Sequence, residues 1–329
     1  MTATTRYSIR HLTTFAYDVP IAESVMELRM RPATDASQRC LQFDVTVNPA
    51  ARVFAYQDSR GNWVHHFNVP QRHDRLAITA QAQVDLETPE PLPQAMPVSA
   101  WDEIKQRAAE GEDWDFRQES TFTPWSDALV AFVRSLGHAA ERAGDPLTTV
   151  RHVMAAIHGG FEYAPKSTRV DSPIDEALAA RRGVCQDFSH IMLATLRRLG
   201  LACRYVSGYI APQEFDVPGS RSAPIASHAW VEVRLPELGW VGVDPTNNIE
   251  AGRRHVRVGI GRDYADVPPT RGVFKGRSSS TLSVSVGITP GDAAATIDPA
   301  VMQVTWTREQ QQAAAVERER RHQQQQQQQ

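Results

Sequence analysis

A thiol, an imidazole and a carboxylate follow one another along this chain as Cys185, His228 and Asp244. Together they are what nucleophilic catalysis at a carbonyl needs: an attacking atom, a base to take its proton, and an acid to orient the base. The cysteine lies in Arg182-Gly183-Val184-Cys185-Gln186-Asp187-Phe188-Ser189-His190, at a glycine-led turn where a helical pattern begins. Phe188, Ile191, Met192, Leu196 and Leu199 recur at helical spacing, and Gly200 closes the run after Arg197 and Arg198. Cys185 is therefore expected at a helix N-terminus, where free backbone N–H groups and the helix dipole favour an anion.

The other two residues belong to a predicted hairpin. In Ser227-His228-Ala229-Trp230-Val231-Glu232-Val233-Arg234 the apolar residues Ala229, Val231 and Val233 alternate with His228, Trp230 and Glu232. The return strand is Trp240-Val241-Gly242-Val243-Asp244, after a turn with Pro236 and Gly239. If the odd-numbered valines of both strands share a core face, His228 and Asp244 share the other. Asp244 can then hold one ring nitrogen as a donor and leave the second to take the proton of Cys185.

Each residue also has a plainer reading. A lone cysteine is ordinarily buried and inert, and Cys40 and Cys203 keep that reading because both lie in strand-like runs. His228 alone could be a surface strand residue, and Asp244 alone an Asx-type turn before Pro245. Only the three contexts together favour chemistry. His190 is turned away from the thiol by its five-residue offset and reads as a packing residue; Asp187 complements the helix dipole. Trp230 and Trp240, on the predicted His228 face, could wall a cleft, and Gln186 and Tyr163 are candidate substrate or oxyanion contacts. A zinc site from Cys185, His190, His228 and Cys203 fails on spacing, since neither a Cys-x-x-Cys nor a His-x-x-x-His pair exists. There is no DxDxDG calcium loop. No metal and no cofactor are expected.

The blocks GVCQDFSH, SHAWVEV and GWVGVDPTNN, in that order, resemble the transglutaminase-like superfamily, and more narrowly its bacterial branch, which includes proteins described as cysteine proteases. The similarity runs from Tyr7 to about Gly276. It includes Tyr7-Ser8-Ile9-Arg10-His11-Leu12, Leu28-Arg29-Met30-Arg31-Pro32 and Asp58-Ser59-Arg60-Gly61-Asn62 upstream, and the stretch from His255 to Gly272 downstream. The resemblance implies an N-terminal β-sandwich followed by a papain-like, transglutaminase-like core with the nucleophile at a helix N-terminus packed on an antiparallel sheet. It implies Cys185, His228 and Asp244 as the catalytic residues, and peptide or protein substrates with either water or an amine as acceptor.

The elements agree with an α+β chain. Runs at Tyr7–Tyr17, Leu41–Asn48, Val53–Gln57, Trp63–Val69 and Leu76–Leu86 read as strands. The proline-dense stretch from Thr88 to Pro97 reads as a linker. Helical patterns follow at Ser126–Arg142, Pro146–Gly159 and Ile174–Arg181. These boundaries divide the chain into residues 1–90, an N-terminal β domain; 91–125, a linker; 126–290, the catalytic core; and 291–329, a glutamine-rich tail expected to be partly disordered.

With 329 residues and 41% hydrophobic content the chain can bury a sizeable core. Its net charge is only −3, with both signs mixed along the sequence, which argues against nucleic acid as a partner. Three cysteines do not make a disulfide framework, and no apolar run approaches the roughly 18 residues that span a bilayer. A cytoplasmic location and no membrane contact are the expectation. Two other classes compete with a thiol enzyme of the amidase, peptidase or transamidase kind: a catalytically silent binding scaffold and a metal-dependent hydrolase.

Overall fold

The structure is a computed structural model, and it describes residues 4–137, 144–165, 167–212, 227–295 and 302–306. Six strands come first: β1 (Thr4–Ile21), β2 (Glu23–Leu28), β3 (Gln38–Asn48), β4 (Phe54–Gln57), β5 (Trp63–Val69) and β6 (His73–Glu87). Then come α1 (Ala100–Ala109), α2 (Asp127–Ser135), α3 (Pro146–Gly160), β7 (Glu162–Tyr163), α4 (Ile174–Ala180), β8 (Arg182–Gly183) and α5 (Cys185–Arg198). The chain continues through β9 (Cys203–Ile210), β10 (Ser227–Leu235), β11 (Gly239–Asp244), β12 (Ile249–Glu250) and β13 (His255–Gly261). It returns through β14 (Thr270–Lys275), β15 (Ser280–Pro290) and β16 (Met302–Trp306).

Two sheets form the N-terminal region, ordered β16-β15-β1-β6-β3 and β14-β2-β5-β4. Side chains from both, among them Leu28, Phe67, Val69, Leu76 and Ile78, make one apolar cluster. Alternation explains it: in β6, Leu76, Ile78, Ala80, Ala82 and Val84 are buried two by two along the strand. The expected strands are all present; β2 is an addition the sequence pattern did not announce.

Two boundaries differ from expectation. The stretch 270–290, assigned to the core, pairs with the first strands instead: Val273 lies opposite Val25, and β15 runs along β1 from Tyr17 to Tyr7. Hydrogen-bonding edges on β1 and β2 are completed from the far end of the chain, which local pattern cannot reveal. The segment 91–125 also holds a helix. Trp101 and Ile104 of α1 pack into the core, and Trp101 Nε1 donates to the Gly144 carbonyl at 2.8 Å. Asp145 caps α3 by accepting from the N–H groups of Leu147 and Thr148, and it also accepts from Met96, fastening the proline-dense stretch to the core. Of the expected tail, residues 302–306 form a strand; most of the rest lies outside the described residues.

The core sheet is ordered β12-β11-β10-β9-β13, antiparallel throughout. Its odd-numbered residues Ala229, Val231, Val233, Val241 and Val243 join Phe188, Ile191, Met192 and Leu196 of α5 in a single cluster with α2, α3 and α4. Each such buried aliphatic or aromatic side chain contributes roughly 1.5–3 kcal/mol. Val231 is opposite Val243, as parity requires, so the even-numbered residues share the other face. That face is covered too. Glu232 is buried, with Arg204 and Arg257 as ion-pair partners. Among the described residues no helix is long and apolar enough to cross a membrane.

Candidate active site

Cys185 is the first residue of α5, half-buried at the point where the chain turns from β8 into the helix. Asp187 builds that turn. Its Oδ2 accepts from the Val184 N–H at 2.8 Å and from the Thr168 hydroxyl at 2.6 Å. The carboxylate comes so close to Gly183 that a Cβ there would lie 2.8 Å from Oδ2, so the glycine is required by the approach. Burial raises the pKa of Asp187 against the opposing pull of these two hydrogen bonds. The helix start is thus held by side-chain capping, the role the sequence had given to a looser dipole effect.

His228 opens β10 opposite Gly208 of β9 and is buried. Its Nε2 lies 2.8 Å from Asp244 Oδ2. With Nε2 on Asp244, Nδ1 is the ring nitrogen left over, and the neighbouring Cys185 side chain is among the groups that raise the pKa of the imidazole. Burial alone would lower the pKa of the imidazole. The charge of Asp244, the hydrogen bond that His228 donates to it and the neighbouring Cys185 override it and raise the pKa to about 10. Asp244 is fully buried, which by itself disfavours its charge, yet its two imidazole neighbours His228 and His255 hold it well below the usual carboxylate range. As strand parity predicts, His228 and Asp244 share a face of the sheet and meet there, and the start of α5 carries Cys185.

The carboxylate is more fully engaged than the sequence suggested. Oδ1 accepts from the backbone N–H groups of Thr246 and Asn247 at 2.9 and 3.2 Å. Oδ2 accepts from the Asn247 side-chain amide at 2.7 Å and lies 3.2 Å from His255 Nε2. Asn247 is part of the turn after Asp244 that Pro245-Thr246-Asn247 signals. His255 was not foreseen. It heads β13, on the opposite edge of the sheet from β12, and reaches Asp244 only because residues 251–254 cross from one edge to the other; no strand parity encodes that.

The other predicted site residues divide. Trp230 is 2% exposed and lies against the His228 ring, with centroids 6.2 Å apart and planes 25° apart. Trp240 does not join it. Four residues from Asp244 along β11 and opposite Arg234, it packs instead against Phe116 and beneath the Arg204 guanidinium. Tyr163 is half-buried, edge-on to Phe188, and the nearby Cys185 and Asp244 charges add to burial in raising its pKa. Gln186 donates its side-chain amide to the Val170 carbonyl at 2.9 Å, which ties it to the adjoining loop. His190 is stacked on Phe122 and accepts the Tyr264 N–H.

His228, Asp244 and His255 offer three ligand atoms within 4.8 Å of one another, the spacing of a metal site. A metal would need both Nε2 atoms free of protons. Hydrogen bonding accounts for the cluster without that requirement, because each imidazole has Asp244 Oδ2 as acceptor.

Comparison with known proteins bears on the family and the fold. Residues 7–85 match the bacterial transglutaminase-like N-terminal region, and residues 134–245 match the transglutaminase-like superfamily. An uncharacterized protein of Mycobacterium leprae is 32% identical over 284 residues, which are 86% of this chain and 98% of the relative. One from Mycobacterium tuberculosis is 33% identical over 307 residues, covering 89% and 96%. The chain belongs to the transglutaminase-like superfamily. Within it, a protein-glutamine gamma-glutamyltransferase of Pseudomonas aeruginosa is 33% identical over 120 residues, but these are 34% of this chain and 18% of that protein. The solved structure of a candidate cysteine protease from Cytophaga hutchinsonii shares the fold over 93% of this chain and 98% of its own, with a TM-score of 0.67 and 19% identity.

Proposed function

We propose that this transglutaminase-like protein is a cysteine-nucleophile enzyme that cleaves amide or peptide bonds through a thioester, with Cys185 as nucleophile, His228 as base and Asp244 as the acid that orients it. The observation that carries the reading is the buried hydrogen bond between His228 Nε2 and Asp244 Oδ2 at 2.8 Å, with Cys185 beside that imidazole at the first turn of α5. Cys185 gives its proton to His228 Nδ1, and the thiolate attacks the carbonyl carbon. The oxyanion is met by the Cys185 backbone N–H, with Tyr163 as candidate second donor. As the C–N bond breaks, the imidazolium protonates the leaving amine. Water then attacks the thioester and His228 accepts its proton; as the C–S bond breaks, the imidazolium returns that proton to the Cys185 sulfur and the acid product leaves.

A second reading replaces water by a primary amine. It is favoured by the similarity of part of the core to the Pseudomonas aeruginosa transferase. Mass spectrometry of a peptide library incubated with the protein, with and without putrescine, separates the two: new carboxyl ends mark hydrolysis, and putrescine adducts on glutamine mark transfer. Iodoacetamide labelling tests the shared first half. Cys185 is expected to react much faster than Cys40 or Cys203; equal rates overturn both readings and leave a binding scaffold.

A further inference from the structure

His255 belongs to none of the three roles above, yet it is buried against the same carboxylate oxygen as His228. Its Nδ1 lies 3.2 Å from the Gly252 N–H, which can only donate, so Nδ1 must accept and the ring proton is on Nε2. Nε2 in turn points at Asp244 Oδ2 at 3.2 Å, and an ionised carboxylate can only accept. The tautomer is therefore set at both ends by protein groups. The ring is further held edge-on to the Trp230 indole, with centroids 5.2 Å apart and planes at 74°, while the same indole lies along His228. The groups that bear on its charge are His228 on β10, Asp244 on β11 and Arg254 beside it. Burial comes first among the influences, and together with the two cationic neighbours it outweighs Asp244, so the ring is kept neutral.

We propose that His255 is a positioning residue of the active site, an imidazole that accepts the Gly252 N–H on Nδ1 and donates Nε2–H to Asp244 Oδ2, and so fixes the carboxylate that aims His228 at Cys185. The two histidines that share Oδ2 thus have different tasks: His228 cycles its proton, and His255 never does. This inference rests on the enzymatic reading for its consequence but not for its geometry, and the two can fail separately.

The first measurement uses the wild-type protein. Long-range proton–nitrogen correlation spectra of the histidine rings are expected to show His255 as the neutral Nε2–H form from pH 5 to 8. A His255 that is cationic at pH 6, or protonated on Nδ1, overturns the proposal. The second compares His255→Gln, whose amide can reach where Nε2 stood, with His255→Asn, whose amide cannot. In H255N the alkylation of Cys185 by iodoacetamide is expected to slow about 10- to 100-fold, the range for one hydrogen bond to a buried charge. Its acid limb should move to higher pH, because a carboxylate deprived of a donor protonates more easily. H255Q should recover most of the rate and return the limb toward its wild-type position. A wild-type rate and limb in H255N overturn the proposal, and so does an equal loss in both variants with the limb unmoved, the mark of packing alone. If wild-type Cys185 reacts no faster than Cys40 or Cys203, the enzymatic reading fails, while the ring spectra still decide the state of His255.

Discussion

Gly208 faces the Trp230 indole so closely that a Cβ built on it would lie 2.6 Å from Cη2, and 2.1 Å from the Val256 carbonyl oxygen. The indole that backs His228 can approach β9 this closely only because this residue has no side chain. Gly208→Ala is expected to force either the indole or the β9–β13 pairing to shift, lowering stability by about 1–3 kcal/mol. Urea denaturation gives the loss, and slower alkylation of Cys185 would show that the His228 ring had moved with its support.

Asp244 collects hydrogen bonds from His228, His255, the Asn247 side chain and two backbone N–H groups. Removing the carboxylate in Asp244→Ala strands all of these in a site closed to water, at a cost of about 3–5 kcal/mol. Asp244→Asn keeps the shape and removes the charge. It should cost less stability in urea but still slow Cys185 alkylation, because the imidazolium loses its counter-ion.

The pair also sets a pH dependence whose sign follows from the shifts. A histidine raised from 6.5 to about 10 contributes stability that is complete below 6.5 and disappears as the pH rises through about 10. Asp244, held below its ordinary 3.8, contributes above that value and loses its contribution only as the pH falls well beneath it. The stability difference between wild type and His228→Gln should therefore be largest near pH 5–6 and shrink toward pH 10. A difference that grows between pH 7 and 10 in chemical denaturation would contradict the ion-pair arrangement.

The two tryptophans should behave differently. Trp230→Phe alters the surface against which His228 and His255 rest, so Cys185 alkylation should slow by several-fold. Trp240→Ala, which disturbs the Phe116, Arg204 and Arg234 contacts away from His228, should leave the alkylation rate within about twofold of wild type.

Gly183→Ala probes the other partner of the pair. The added methyl would meet Asp187 Oδ2 and displace it from the Val184 N–H. Loss of that cap should cost about 1 kcal/mol and loosen the first turn of α5, seen as slower alkylation of Cys185 and earlier thermal unfolding.

How much of this was legible beforehand follows from the range of the interactions. The helix of Cys185 is written in the spacing of Phe188, Ile191, Met192 and Leu196, and the meeting of His228 with Asp244 is written in strand parity; both are local. Trp240 satisfied the same parity as Trp230 but lies further along its strand, because parity gives a face and not a position on it. His255 and the return of β14 and β15 depend on where the chain goes after crossing the sheet, which alternation does not encode. Gln186 sits beside Cys185 in sequence, yet its amide is committed to Val170, a partner set by the fold of the preceding loop.

Because β15 lies against β1 and β14 against β2, strands from residues 4–87 and 270–290 are woven into the same two sheets, and the part bearing Cys185, His228 and Asp244 is an insertion between them. Excising the first 90 residues would not release an independent core: it would bare the flank of β15, open an adhesive edge on β14, and invite those strands to pair with other molecules.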